Sequence, residues 1–144
     1  MSDIELNEVR ILLVEDDEID AEAVIRGFRA AKIANDITVA RDGVEALQKL
    51  RGLGEEGVLR PNIVLLDLNM PRMNGIEFLQ ELRRDPDLTD TVVFVLTTST
   101  AEEDRNRSYQ EHVAGYMVKS DVGPSFKMAV GLLERYWTTV VLPT

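Results

Sequence analysis

The chain has 144 residues, no cysteine and a formal charge of −10, from 26 acidic and 16 basic side chains. A chain of this length buries roughly two-thirds of its unfolded surface as one domain, and the absence of cysteine excludes disulfides, thiolate metal centres and cysteine nucleophiles. Its negative field disfavours nucleic acid and anionic membrane as partners, no apolar run has the length of a membrane span, and Met1–Arg10 lacks a hydrophobic signal core, so a cytoplasmic domain is expected.

Val9-Arg-Ile-Leu-Leu-Val14 reads as a buried strand ended by Glu15-Asp16-Asp17. Ala21, Val24, Ile25, Phe28 and Ala31 then recur at helical spacing over 18–31. Ile37–Ala40 predicts a second strand. Asp42 with Glu45 three residues on predicts an N-cap and a returning acid, for a helix that runs through Val44, Leu47 and Leu50 to Gly52. A loop rich in Gly and Glu follows, 53–60. Ile63-Val-Leu-Leu66 is the third strand and ends at Asp67. Asn74-Gly75 opens a helix carrying Phe78, Leu79 and Leu82, and Pro86 stops it. The fourth strand, Val92–Leu96, runs into Thr97-Thr98-Ser99. Thr100-Ala-Glu-Glu103 predicts a capping box for a helix to about Val113. Gly115–Val118 is a brief strand ending in Lys119, and Pro124 suits the first turn of a last helix over 125–137. Strand and helix alternate throughout, which implies a parallel sheet with helices on both faces. One domain is expected over 1–137, followed by a short apolar tail, 138–144, with no linker to an effector module.

Chemically loaded residues fall at the carboxyl ends of four of these strands: Glu15 and Asp16, Asp67, Thr97, and Lys119. In an open parallel sheet the binding crevice lies just beyond those ends. Three carboxylates gathered there demand a compensating cation, and hard oxygen ligands suit Mg²⁺. A carboxylate beside a metal ion can act as a nucleophile toward phosphorus. Lys119 and the Thr97 hydroxyl then supply a positive charge and a hydrogen bond to phosphoryl oxygens. His112, the one histidine, reads as a surface residue rather than a phosphohistidine.

Ile11-Leu-Leu-Val-Glu-Asp16, Leu65-Leu-Asp-Leu-Asn-Met-Pro71 with Asn74-Gly75, Val95-Leu-Thr97 and Gly115-Tyr-Met-Val-Lys119 resemble the receiver domain of two-component response regulators. The resemblance implies a flavodoxin-like α/β fold, a five-stranded parallel sheet in the order 2-1-3-4-5. It implies that Asp67 accepts a phosphoryl group from a sensor histidine kinase and later loses it to water, chemistry on the protein itself rather than enzymatic turnover. Glu15, Asp16, Asp67 and the backbone carbonyl of Asn69 would hold Mg²⁺, Thr97 and Lys119 would contact the phosphoryl oxygens, and Thr97 and Tyr116 would form the switch. Asn69 and Ser99 occupy the positions that set hydrolysis in the family; neither is bulky nor charged, which implies access for water. Ser120 stands where the family usually has proline. A cis bond before a non-proline residue costs about 3 kcal/mol, so a trans Lys119–Ser120 peptide is expected.

The last helix carries more apolar surface than one sheet face needs. Phe126, Ala129, Val130, Leu133 and Trp137 form one stripe, and Met128, Leu132 and Tyr136 widen it to an arc of about 200°, where a core-facing helix needs little over 100°. With Val140 and Leu142 beyond it, this surface is expected either to fold under its own tail or to pair two copies as a homodimer. The 53–60 loop, Leu96-Thr-Thr-Ser99 and Tyr136-Trp137 ahead of Val-Val-Leu-Pro resemble the small single-domain regulators paired with phytochrome-type sensor kinases.

Two other classes remain open on the residues. A haloacid-dehalogenase-type phosphatase also uses a strand-end aspartate and Mg²⁺, but the position two beyond its nucleophile carries an aspartate. Here that position is Asn69, which cannot exchange a proton in the acid/base role. A phosphorylation-independent interaction module would need none of the five strand-end residues.

Overall fold

The inner strands are apolar without interruption because both faces of the sheet are covered, as parallel sheets require. The computed structural model describes residues 9–31, 36–53, 57, 59–123 and 126–140. Its strands are β1 (Arg10–Val14), β2 (Asp36–Ala40), β3 (Ile63–Leu66), β4 (Val93–Thr97) and β5 (Gly115–Val118). All neighbours are parallel, in the order β2-β1-β3-β4-β5. Five helices alternate with them: α1 (Glu18–Ala30), α2 (Gly43–Arg51), α3 (Gly75–Arg84), α4 (Glu102–Gln110) and α5 (Lys127–Thr139). This is the expected flavodoxin-like arrangement.

The period of two along each strand sorts the core into two layers. Leu12, Val14, Val64, Leu66, Val93 and Val95 pack against Leu47, Leu50, Phe78, Leu79 and Leu82 of α2 and α3. Ile11, Leu13, Ile63, Leu65, Phe94 and Leu96 face the opposite way, onto Val24 and Phe28 of α1 and Ala129, Val130, Leu133 and Trp137 of α5. Trp137 stacks on Phe28 with centroids 6.0 Å apart, and Tyr136 meets the Phe94 ring edge-on at 4.9 Å. The indole N–H of Trp137 is buried and has no hydrogen-bond partner among the described residues.

The helix starts depart from expectation in three places. Asp42 caps α2 by accepting the Glu45 amide at 2.9 Å, but the returning Glu45 carboxylate goes one residue further back, to the Arg41 amide at 3.0 Å. No capping box forms at Thr100. Ser99 binds first: its hydroxyl accepts from the Ala101 amide and donates to Asp104 at 2.6 Å, so α4 starts at Glu102 with no side-chain cap. The capping box lies instead at Asn74, whose side chain accepts from the Glu77 amide while Glu77 accepts from the Asn74 amide. Pro124, Leu142 and Pro143 lie outside the described residues, as does half of the 53–60 loop. Helix α5 starts at Lys127 and continues to Thr139, two residues past the expected end, with Thr138 donating to the Glu134 carbonyl at 2.8 Å.

Candidate functional site

Three buried strands deliver their last residues to one rim. Glu15 follows β1, Asp67 follows β3 and Thr97 ends β4, and all three are buried. The Asp67 amide donates to Val14 of β1, which ties the two strand ends together. Helix α3 fixes the loop beyond Asp67. The Gly75 amide donates to the Leu68 carbonyl at 2.9 Å, and a Cβ at Gly75 would come within 2.7 Å of the Asp67 carbonyl. Only glycine admits this approach.

Lys119 reaches the cluster from the end of β5. Its Nζ donates to Glu15 at 2.7 Å, Asp20 at 2.8 Å and Asp67 at 3.2 Å. An ammonium has three N–H donors, so each goes to a carboxylate. Burial alone would lower the Lys119 pKa, but the hydrogen bonds to Asp20 and Glu15 outweigh it and hold the charge above the ordinary lysine range. Burial pushes the Glu15 carboxyl up to about 8; Lys119 pulls against this, and the nearby Asp67 charge adds to it.

Carboxylate oxygens of Glu15, Asp16 and Asp67 lie within 4.8 Å of one another, Asp16 being the exposed member. An octahedral ion with bonds near 2.1 Å separates its ligand oxygens by about 3 to 4 Å, so small side-chain adjustments fit this set to a small divalent ion. The donor set is all oxygen and anionic, the chemistry such an ion selects. Asn69 lies beside it, with its amide donating to Asp67 at 3.3 Å and its side chain to the Thr98 hydroxyl at 3.3 Å.

Thr97 connects to the protein surface through Ser99. The Ser99 amide donates to the Thr97 hydroxyl at 3.4 Å, and the Ser99 carbonyl accepts from the Tyr116 hydroxyl at 3.0 Å. Burial raises the Tyr116 pKa, so the phenol is a neutral donor here. The Lys119–Ser120 peptide is trans, as the absence of proline implies, and Lys119–Asp121 makes one turn of 3₁₀-helix. His112 is exposed on a left-handed turn at φ 61°.

The structure thus brings Glu15, Asp16, Asp67 and Lys119 together, with Asn69 and Thr97 at the edge of the group. It adds Asp20, which the strand-end pattern does not reach. The signal for it lies in α1: Asp20 continues the Val24–Phe28 row one helical step back, so it leaves the buried face at the sheet's carboxyl edge. In α5, Trp137 turns into the chain's own core, where Phe28 stacks on it. The apolar surface that stays open is Met128, Leu132 and Val140, at 65%, 48% and 42% exposure. Leu132 and Val140 line a groove of about 530 Å³ with Tyr109 of α4 and Tyr116 of β5.

The family model described as "Response regulator receiver domain" matches residues 11–124. The response regulator Rcp1 of Synechocystis sp. (strain ATCC 27184 / PCC 6803 / Kazusa) is 43% identical over 136 residues, which is 92% of each chain. Among solved structures, the phosphorylated cyanobacterial phytochrome response regulator RcpA superposes with a TM-score of 0.87 at 35% identity, covering 95% of this chain and 99% of that one. The Mn²⁺-bound form of Rcp1 gives 0.84 at 40% identity, covering 94% and 99%. Matched along nearly its whole length in both sequence and backbone, the chain belongs to the response regulator receiver domains, a family of signalling modules that hold a divalent metal in an acidic pocket and work with sensor histidine kinases.

Proposed function

We propose that Asp67 accepts a phosphoryl group from the phosphohistidine of a sensor kinase of the phytochrome type. The observation that carries this is the buried Asp67 carboxylate held by Lys119, 3.2 Å away, beside the Glu15–Asp16 pair. In the transfer, an Asp67 oxygen forms a bond to phosphorus as the P–N bond breaks, and the nitrogen lone pair returns to the kinase imidazole. Glu15, Asp16, Asp67 and the Asn69 carbonyl would hold Mg²⁺, which would supply positive charge against the phosphoryl oxygens. Lys119 contributes a fixed positive charge to the same oxygens, and the Thr97 hydroxyl donates a hydrogen bond. Hydrolysis of the aspartyl phosphate by water, with Asn69 and Ser99 leaving an approach, resets the site.

The signal leaves through contacts with other proteins. When Thr97 turns toward the phosphoryl group, Ser99 moves with it, and Tyr116 loses or remakes its bond to the Ser99 carbonyl. Tyr116 borders the apolar groove between α4 and α5. Through that groove, with Met128, Leu132 and Val140, two copies form a homodimer, and sedimentation at micromolar concentration reads its mass. The cytoplasmic side is where such a kinase presents its phosphohistidine.

Intact-mass spectrometry after incubation with Mg²⁺ and acetyl phosphate tests the acceptor. The wild type gains one phosphoryl group and Asp67→Asn gains none. Equal gain in both proteins, or no gain in either from acetyl phosphate or a phosphorylated histidine kinase, rules the reading out.

A further inference from the structure

Among the described residues Lys119 is the one cation bonded to the site carboxylates, and only one of its three carboxylate partners lies outside the transfer chemistry. Asp67 is the acceptor, and Glu15 belongs to the oxygen group that fits a divalent ion. Asp20 belongs to neither. It is nevertheless bound to the ammonium at 2.8 Å, a length typical of a charge-assisted hydrogen bond. Its backbone is fixed as well, since the Asp20 amide donates to the capping carboxylate of Asp17 at 3.1 Å. The row it shares with Val24 and Phe28 anchors that turn to the core.

The three partners change differently during the reaction. Phosphorylation turns one Asp67 oxygen into the bridging oxygen of an acyl phosphate and removes the carboxylate charge, and an ion at Glu15 competes with Lys119 for that carboxylate. Asp20 alone takes part in neither change. Resting on the acceptor reading above, we infer that Asp20 is a positioning residue for Lys119. It anchors the ammonium from α1 so that its remaining N–H groups point at the phosphoryl oxygens on Asp67. Without the anchor, a lysine on four flexible methylenes has no fixed place in a pocket of competing carboxylates.

The test uses the whole chain and four proteins: wild type, Asp20→Asn, Lys119→Ala and the double variant. Each is phosphorylated with acetyl phosphate at saturating Mg²⁺; the donor's P–O bond breaks, a P–O bond to Asp67 forms, and acetate leaves. Losing one charge-assisted hydrogen bond at a partly exposed site corresponds to an initial rate about tenfold lower in Asp20→Asn. Mg²⁺ affinity by calorimetry stays within about threefold, because Asp20 is not a ligand and acts on the ion only through screened charge. In the Lys119→Ala background the same substitution changes the rate by less than about twofold, since an effect that runs through Lys119 is lost with it. Asp20→Glu, which keeps the charge on a longer stem, recovers part of the rate. A wild-type rate in Asp20→Asn, or equal slowing in both backgrounds, overturns the positioning role and leaves the acceptor reading intact. A wild type that gains no phosphoryl group removes the acceptor reading and this role with it.

Discussion

Helices α3 and α4 pack side by side over the same face of the sheet and are held by opposite means. Helix α3 buries Gly75, Ile76, Phe78, Leu79 and Leu82, and its start is locked by the Asn74–Glu77 capping box. Helix α4, Glu-Glu-Asp-Arg-Asn-Arg-Ser-Tyr-Gln, buries Ser108 alone. Apolar burial stabilises α3 over its length, whereas α4 is fastened at its ends. At the start, the Ser99 hydroxyl bonds Asp104. At the far end, Arg83 of α3 donates to the Glu111 carbonyl at 2.7 Å and the His112 carbonyl at 3.1 Å. The same guanidinium takes the Thr89 and Thr91 carbonyls at 2.7 and 2.8 Å. Regions with few buried apolar contacts open at low free energy. The difference therefore separates a scaffold helix that fixes the Asp67 loop from a helix with little core burial that is tied at its start to Ser99.

Three substitutions sharpen this contrast. Phe78→Ala leaves a cavity under α3 and is expected to lower global stability by about 3–5 kcal/mol, read by urea unfolding. An effect under 1 kcal/mol would mean that α3 is not the scaffold. Arg83→Met keeps the apolar stem but strips four carbonyls of their donor. Some of those carbonyls are open to water, so a loss of about 2 kcal/mol is expected. Hydrogen exchange should then show 102–114 opening well before 75–84; uniform opening would erase the distinction between the helices. Tyr116→Phe removes one hydrogen bond to the Ser99 carbonyl and is expected to cost about 1 kcal/mol or less. Its acceptance of the phosphoryl group should stay at the wild-type level while the exchange difference between phosphorylated and free α4 shrinks. An unchanged difference would free Tyr116 from the coupling.

The sheet was legible because its signals are local. Ile63–Leu66 is apolar on both faces and bounded by Asn62 and Asp67, so the strand falls where the residues place it. Asp42 is legible as a cap, and Asn74-Gly75 as a helix start, because a short polar side chain ahead of an apolar helical row has few other uses. Thr100 does not cap α4, because two hydroxyl residues compete for one helix start. Ser99 wins by a bond to Asp104, five residues away, a reach the capping-box spacing does not contain. At the site, the strand-end residues follow from the parallel sheet, but Asp20 comes from a helix. Its place depends on how α1 rolls against the core, a tertiary fact that enters only through the Val24–Phe28 row. The split of α5 has the same cause. On a helical wheel Trp137 lies in the central stripe and Leu132 on its flank, and packing decides where the covered face stops: Trp137 stacks on Phe28 and Leu132 stays open.

The chain has one tryptophan. Because Trp137 lies in the layer of α1 and α5, across the sheet from α3 and α4, its emission samples that layer alone. Its buried indole N–H has no partner among the described residues, so none of them offers the excited ring a hydrogen bond to relax against. The protein thus carries an optical probe that is deaf to α4 and tuned to α1, the helix that bears Asp20. Events that repack α1 against α5 are expected to quench or shift its light, as are contacts made on α5 itself.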